Sequence, residues 1–207
     1  MSLLLRVEVL AAPLERARAD VLLAGFFASE RPLRGGAGRA DWRLCGLVSR
    51  LVQEGRIRGE EGEAALLPGG PVFMSPRLLL VGCGDSAAFD RTAQRRIATG
   101  ALARTAALGV ESVALALPLG GTNRLSLDSS TLALVEGAIG AGTPLPVLRL
   151  LVPEGTERGI AGVVERFGRG HRGVDFEVIL GSPAEPRAAG GPSASTASDA
   201  NALSRAP

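Results

Sequence analysis

Lysine is absent from this 207-residue chain, and every one of its 23 basic residues is arginine. Any site that needs an ε-amino group is therefore beyond these residues. Histidine occurs once, at His171 in the polar turn GRGHRG. It reads as a surface-loop residue, since general-base work there needs a partner that the sequence does not identify. The two cysteines, Cys45 and Cys83, are too few for a disulfide framework and lack metal-ligand spacing. Both sit in apolar surroundings and read as small core residues. Aromatic residues make up only 3% of the chain, so its core has to be Leu, Val and Ala packed through many thin contacts. Long uncharged apolar runs are missing too, and none approaches the ~20 residues that span a bilayer. The opening MSLLLRVEVL is interrupted by Arg6 and Glu8 and is followed by no small-residue cleavage site. These absences predict a cytoplasmic, soluble protein with no membrane partner.

What is present is a globular composition. Hydrophobic residues make up 46% and charged residues 21%, in a length that suits one α/β domain with or without a tail. The net charge of +2 comes from 23 arginines set against 21 acids spread along the whole length. Nucleic-acid binding needs clustered cations. The densest cluster, Arg91, Arg95, Arg96 and Arg104, has the spacing of a solvated helix face, which speaks against a nucleic-acid partner.

Strand-like and helix-like segments alternate, the pattern of a layered α/β domain. LLLRVEVL (3–10) and DVLLAGFF (20–27) read as strands, followed by a glycine turn at 35–38. From Asp41 to Glu54, Leu44, Leu47, Val48, Leu51 and Val52 repeat at helical spacing, and Gly55 ends the segment. Strands are expected at 63–67 and 77–81, a helix at 90–108, a strand at 112–117, and a helix capped by Asp128. A strand at 147–152, a helix capped by Thr156 and a last strand at 174–180 complete the series. The segment SPAEPRAAGGPSASTASDANALSRAP (182–207) has too few apolar side chains to offset the entropy of ordering, and is read as a disordered tail behind a domain at 1–181.

The stretch GLVSRLVQEGRIRGEEGEAALLP, a short loop and RLLLVGCGDSAAFD resemble the N-terminal domain of the leucyl (cytosol) aminopeptidase family. RIATGALARTAALGVESVALALP and LVEGAIGAGTP extend the likeness over roughly residues 3–167. The resemblance implies a macro-domain-like fold, a central mixed sheet flanked by helices in a single domain. In that family the active site lies in a separate C-terminal domain, where a Lys, several Asp and a Glu hold two metal ions near a signature NTDAEGR. No such signature occurs in this sequence. The chain is therefore read as a non-catalytic binding, regulatory or assembly module, with no catalytic residues, no metal and no cofactor. A separately encoded aminopeptidase catalytic domain or another protein is the expected partner, around Phe167 at the end of the last helix. The alternatives are one piece of a split metalloaminopeptidase and an ADP-ribose or nucleotide binder.

For the nucleotide alternative, the macro-domain likeness implies a ligand site at Asp20, Gly35, Gly36, Gly38, Gly120 and Gly121, where glycine loops present backbone amides to phosphate. The plainer reading gives these glycines to turns and Asp20 to a strand start. Gly82-Cys83-Gly84-Asp85 follows a strand but lacks the third glycine of a dinucleotide fingerprint. Ser49, Ser75 and Ser86 lack the nucleophile-elbow pattern.

Overall fold

The computed structural model describes residues 3–117, 119, 125–142 and 147–181. Glycines 120 and 121, and the segment 182–207 expected to be a tail, lie outside the described residues. Among the described residues seven strands form one sheet: β1 (Leu3–Leu10), β2 (Val21–Phe26), β3 (Ala64–Pro68), β4 (Arg77–Gly82), β5 (Ser112–Ala116), β6 (Val147–Leu151) and β7 (Val174–Leu180). Five helices connect them: α1 (Gly35–Arg43), α2 (Leu47–Gln53), α3 (Arg91–Ala107), α4 (Leu127–Gly140) and α5 (Glu157–Gly170). The sheet order is β3-β4-β2-β5-β6-β1-β7, parallel throughout except for β3, which runs antiparallel to β4. The mixed sheet and flanking helices match the α/β architecture expected from the sequence.

The interior strands are nearly continuous apolar runs because both of their faces are covered. All six residues of β2 are buried. Side chains alternate across the sheet. Val21 and Leu23 join a core with Ile97 and Leu102 of α3, Leu134 of α4 and Val164 of α5. Leu22, Ala24 and Phe26 face the opposite side, against Ala37 and Ala40 of α1 and Val48 of α2.

That second layer is short. Of β1 and β6 only Leu10 and Leu151, at their C-terminal ends, join the second core, and β7 contributes nothing to it. The rest of that face carries the ion pairs Arg6–Glu177 at 2.7 Å and Arg149–Glu8 at 2.6 Å. Leu4 and Ile179 stand exposed beside them.

Several local expectations change. The helix expected at 41–54 is two helices, because Cys45 and Gly46 take positive φ of 52° and 79° and break the ladder. Asp41 bridges the break, its carboxylate accepting from the Ser49 amide at 2.9 Å and the Ser49 hydroxyl at 2.6 Å. Cys45 is exposed at this corner rather than in the core. The segment 35–38 is the first turn of α1, not a loop. Ser126, not Asp128, caps α4 by accepting from the Ser129 amide. The Thr156 hydroxyl donates to the Pro153 carbonyl and leaves α5 without a side-chain cap. Asp90 does cap α3, accepting from the Ala93 amide at 2.7 Å. No described helix is long and apolar enough to cross a membrane.

Candidate functional site

Of the residues proposed from the sequence as a ligand site, Asp20 and the three glycines of α1 are not brought together. Asp20 precedes β2, at the N-terminal ends of the parallel strands, whereas Gly35, Gly36 and Gly38 follow the loop beyond the C-terminal end of β2. Six strand residues, roughly 20 Å, separate the two ends.

Asp20 works as a staple. Its Oδ2 accepts from the amides of Glu111 and Ser112, both at 2.9 Å, and from the Ser112 hydroxyl at 3.0 Å. Burial pushes its carboxyl up, but these bonds outweigh burial and hold it below the usual aspartate range. They tie the starts of β2 and β5 together. An open cleft of about 770 Å³ lies alongside, lined by Arg18, Asp20, Ser112 and Arg149. Arg149 is spent within it, donating to Glu8 and to the Arg18 carbonyl.

The α1 glycines serve packing. Gly35 has φ +56°, a conformation that L side chains rarely adopt. A Cβ on Gly36 would touch those of Ala24 and Ala116 at 3.4 and 3.3 Å, and one on Gly38 would stand 2.3 Å from the Leu33 carbonyl oxygen. Gly38→Ala is thus expected to cost about 1–3 kcal/mol. Urea unfolding checks this, and an unchanged midpoint would show that the glycine is not needed for close approach.

The glycines at the end of β4 and just beyond it also serve the backbone: a Cβ on Gly82 would lie 2.0 Å from the Glu60 carbonyl oxygen, and Gly84 has φ +71°. Between them Cys83 is buried as expected, and burial pushes its thiol up to about 12, far from the thiolate a nucleophile requires. His171 stacks on Phe167 with centroids 5.2 Å apart. Phe167 also meets Phe176 edge-on at 5.9 Å and packs against the main core. It therefore takes part in the contact between α5 and β7, where it is half-buried. The α3 arginines are largely committed: Arg91 to Glu136, Arg96 to Glu61 and Arg104 to the Gly62 carbonyl. Among the described residues no three His, Cys, Asp or Glu side chains are grouped so as to hold a metal ion.

The strongest charged cluster was not among the residues singled out from the sequence. Glu15, 4% exposed in a 3-10 turn between β1 and β2, accepts from Arg39 Nε at 2.5 Å and Nη2 at 2.6 Å, and from Arg43 Nη2 at 2.7 Å. Burial alone would raise its carboxyl; the two guanidiniums outweigh burial and bring it down to about 2. The i, i+4 spacing of Arg39 and Arg43 was a visible signal, but Glu15 lies 24 residues before the first of them.

Comparisons with known proteins agree with this architecture. The model of the cytosol aminopeptidase family, N-terminal domain, matches residues 24–141. A probable cytosol aminopeptidase of Colwellia psychrerythraea is 35% identical over 85 residues, covering 41% of this chain and 17% of that protein. One of Solibacter usitatus is 30% identical over 135 residues, covering 65% of this chain and 25% of that protein. The chain thus spans a quarter or less of the length of these relatives. Among solved structures, a tomato leucine aminopeptidase mutant superposes with a TM-score of 0.60 at 20% identity, covering 78% of this chain and 35% of that one. A mutant macrodomain of Oceanobacillus iheyensis gives 0.61 at 10% identity, covering 77% and 90%. These likenesses show the macrodomain-like fold, and the family match covers over half of the chain: it belongs to the cytosol aminopeptidase family, whose N-terminal domain it carries.

Proposed function

We propose that this domain performs no chemistry of its own and serves as a binding and assembly module for an aminopeptidase catalytic domain. The observation that carries the reading is how its inward-facing polar groups are used. Glu15 holds two arginines, Asp20 staples two strands, Gln94 and Ser130 bond to each other at 2.7 Å, and the Cys83 thiol is kept protonated. A general base or nucleophile must offer a lone pair to substrate; Glu15, Asp20, Gln94 and Ser130 are committed to holding elements together, and the buried Cys83 thiol offers no thiolate, which leaves Glu30 as the one carboxylate here with a buried unpartnered oxygen among the described residues. Support also comes from the relatives, named probable cytosol aminopeptidases, which this chain matches through a domain of the N-terminal kind. The thinly covered face of β6, β1 and β7, with Leu4 and Ile179, offers surface for the catalytic partner.

The test is direct. The purified chain is expected to release nothing from leucyl amides, with or without zinc or manganese, and to co-elute with an aminopeptidase catalytic domain from the same cell. Chelator-sensitive turnover by the chain alone would overturn the reading, as would failure to co-elute.

A second reading, binding of an ADP-ribose-like nucleotide, is favoured by one feature of the topology. The chain leaves β2 for α1 on one face of the sheet and β5 for α4 on the other, the reversal between adjacent strands at whose C-terminal ends open α/β sheets bind ligands. Glu30, in the loop after β2, has a buried oxygen without a partner and would oppose a diphosphate. A saturable rise in thermal midpoint with ADP-ribose would favour this reading over the first.

A further inference from the structure

We propose that the outer face of α1 docks an acidic segment of a partner protein, with Trp42 as the apolar anchor and the arginines of α1 and its neighbouring segments as its charge partners. The chain has one tryptophan, and that residue is 71% exposed. So large an apolar side chain on a short helix gains little from its own fold, whereas Trp and Arg are the residues that dominate binding when a partner covers them. The Arg43 guanidinium lies 5.0 Å from the centroid of the indole. Arg39 is one helical turn before Trp42 on α1.

Charge identifies the occupant. Between residues 31 and 58 there are seven arginines, Arg31, Arg34, Arg39, Arg43, Arg50, Arg56 and Arg58, and two acids, Asp41 and Glu54. This segment carries +5, against +2 for the whole chain, so the remainder is acidic. Asp41, the one acid on α1, has both oxygens turned to Ser49. Arg34 and Arg50 are exposed and form no ion pair among the described residues.

The arrangement suits carboxylates better than a phosphate chain. Arg39 commits Nε and Nη2 to Glu15, and Arg43 commits Nη2. Arg43, the guanidinium beside the ring, has its Nε buried without a partner and keeps its Nη1 free of Glu15, and Arg39 one turn away likewise keeps its Nη1, both side chains held in place by the buried carboxylate. That is room for one or two carboxylates beside an apolar contact, with little ordering left to do. A polyphosphate backbone needs a longer track of free cations, and successive bases need more than one aromatic platform.

This inference goes beyond the assembly reading and does not depend on it. Because Trp42 is the sole tryptophan, its emission reports on this site alone. The full chain is titrated with a short Glu-rich peptide carrying one central leucine, with its Lys-substituted counterpart, and with oligo(dT). The acidic peptide is expected to shift the emission saturably and to be weakened by salt. Peptide anisotropy is expected to show about tenfold weaker binding to Trp42→Ala, and to the double variant Arg34→Glu with Arg50→Glu, with Trp42→Phe restoring most of it. All these side chains are exposed, so unchanged thermal midpoints verify the fold. Absence of a saturable shift, an equal response to the Lys peptide, or tighter binding of oligo(dT) overturns the proposal. None of these outcomes alters the hydrolysis and co-elution results that test the assembly reading.

Discussion

Glu15→Gln is expected to lower the unfolding free energy by about 3 kcal/mol, read from urea denaturation at neutral pH. The substitution keeps the shape of the side chain but strands two guanidiniums that converge on it. Arg39 and Arg43 are 47% and 36% exposed and can turn to water, which keeps the cost at the lower end of what breaking a buried pair costs. The pH dependence follows from the sign of the shift. The Glu15 carboxyl titrates at about 2 in the folded chain and near its ordinary 4.5 in the unfolded one. Its contribution is therefore complete above about pH 4.5 and is lost as pH falls toward about 2. The stability gap between the wild-type chain and Glu15→Gln should close across that window. A gap that stays constant there would mean that the carboxylate is not what holds α1.

Leu115→Ala is expected to be comparably damaging, at about 2–5 kcal/mol. Leu115 lies in β5, near the middle of the sheet, is 0% exposed, and sits in the main core, where the surroundings can collapse little. Leu47→Ala serves as the contrast. The helical stripe in the sequence places Leu47 among the core positions, but in the structure it is half-buried at the start of α2, and Val48 beside it is the fully buried residue. Truncating Leu47 should cost about 1 kcal/mol. Equal losses for the two variants would mean that α2 packs more deeply than its exposure indicates.

The contrast shows where the sequence was readable. The apolar stripe across 41–54 correctly announces helical structure against the sheet, because periodicity is a local property of the chain. It could not reveal the break at Cys45 and Gly46. The spacing Leu44, Leu47, Val48, Leu51 continues through it, and a positive φ at a cysteine leaves no trace in composition. The same limit applies at α4, where Ser126, Asp128 and Ser129 are all acceptable near a helix start and only the geometry selects Ser126 as the cap.

By itself the sequence determined the alternation of strands and helices, the Leu, Val and Ala core, the absence of any lysine-dependent site, and the resemblance to the aminopeptidase N-terminal domain. Each rests on residue type or on spacing within a few turns, which the chain displays directly. Tertiary structure alone decided that β1 lies between β6 and β7, about 140 to 170 residues away in register, and that Asp20 and the α1 glycines stand at opposite ends of the sheet. It also decided that Arg39 and Arg43 close on Glu15, and that Trp42 is left exposed beside Arg43. These are outcomes of strand order and of which face each helix covers. Such long-range choices follow from the packing of the whole sheet, and no short stretch of residues carries them.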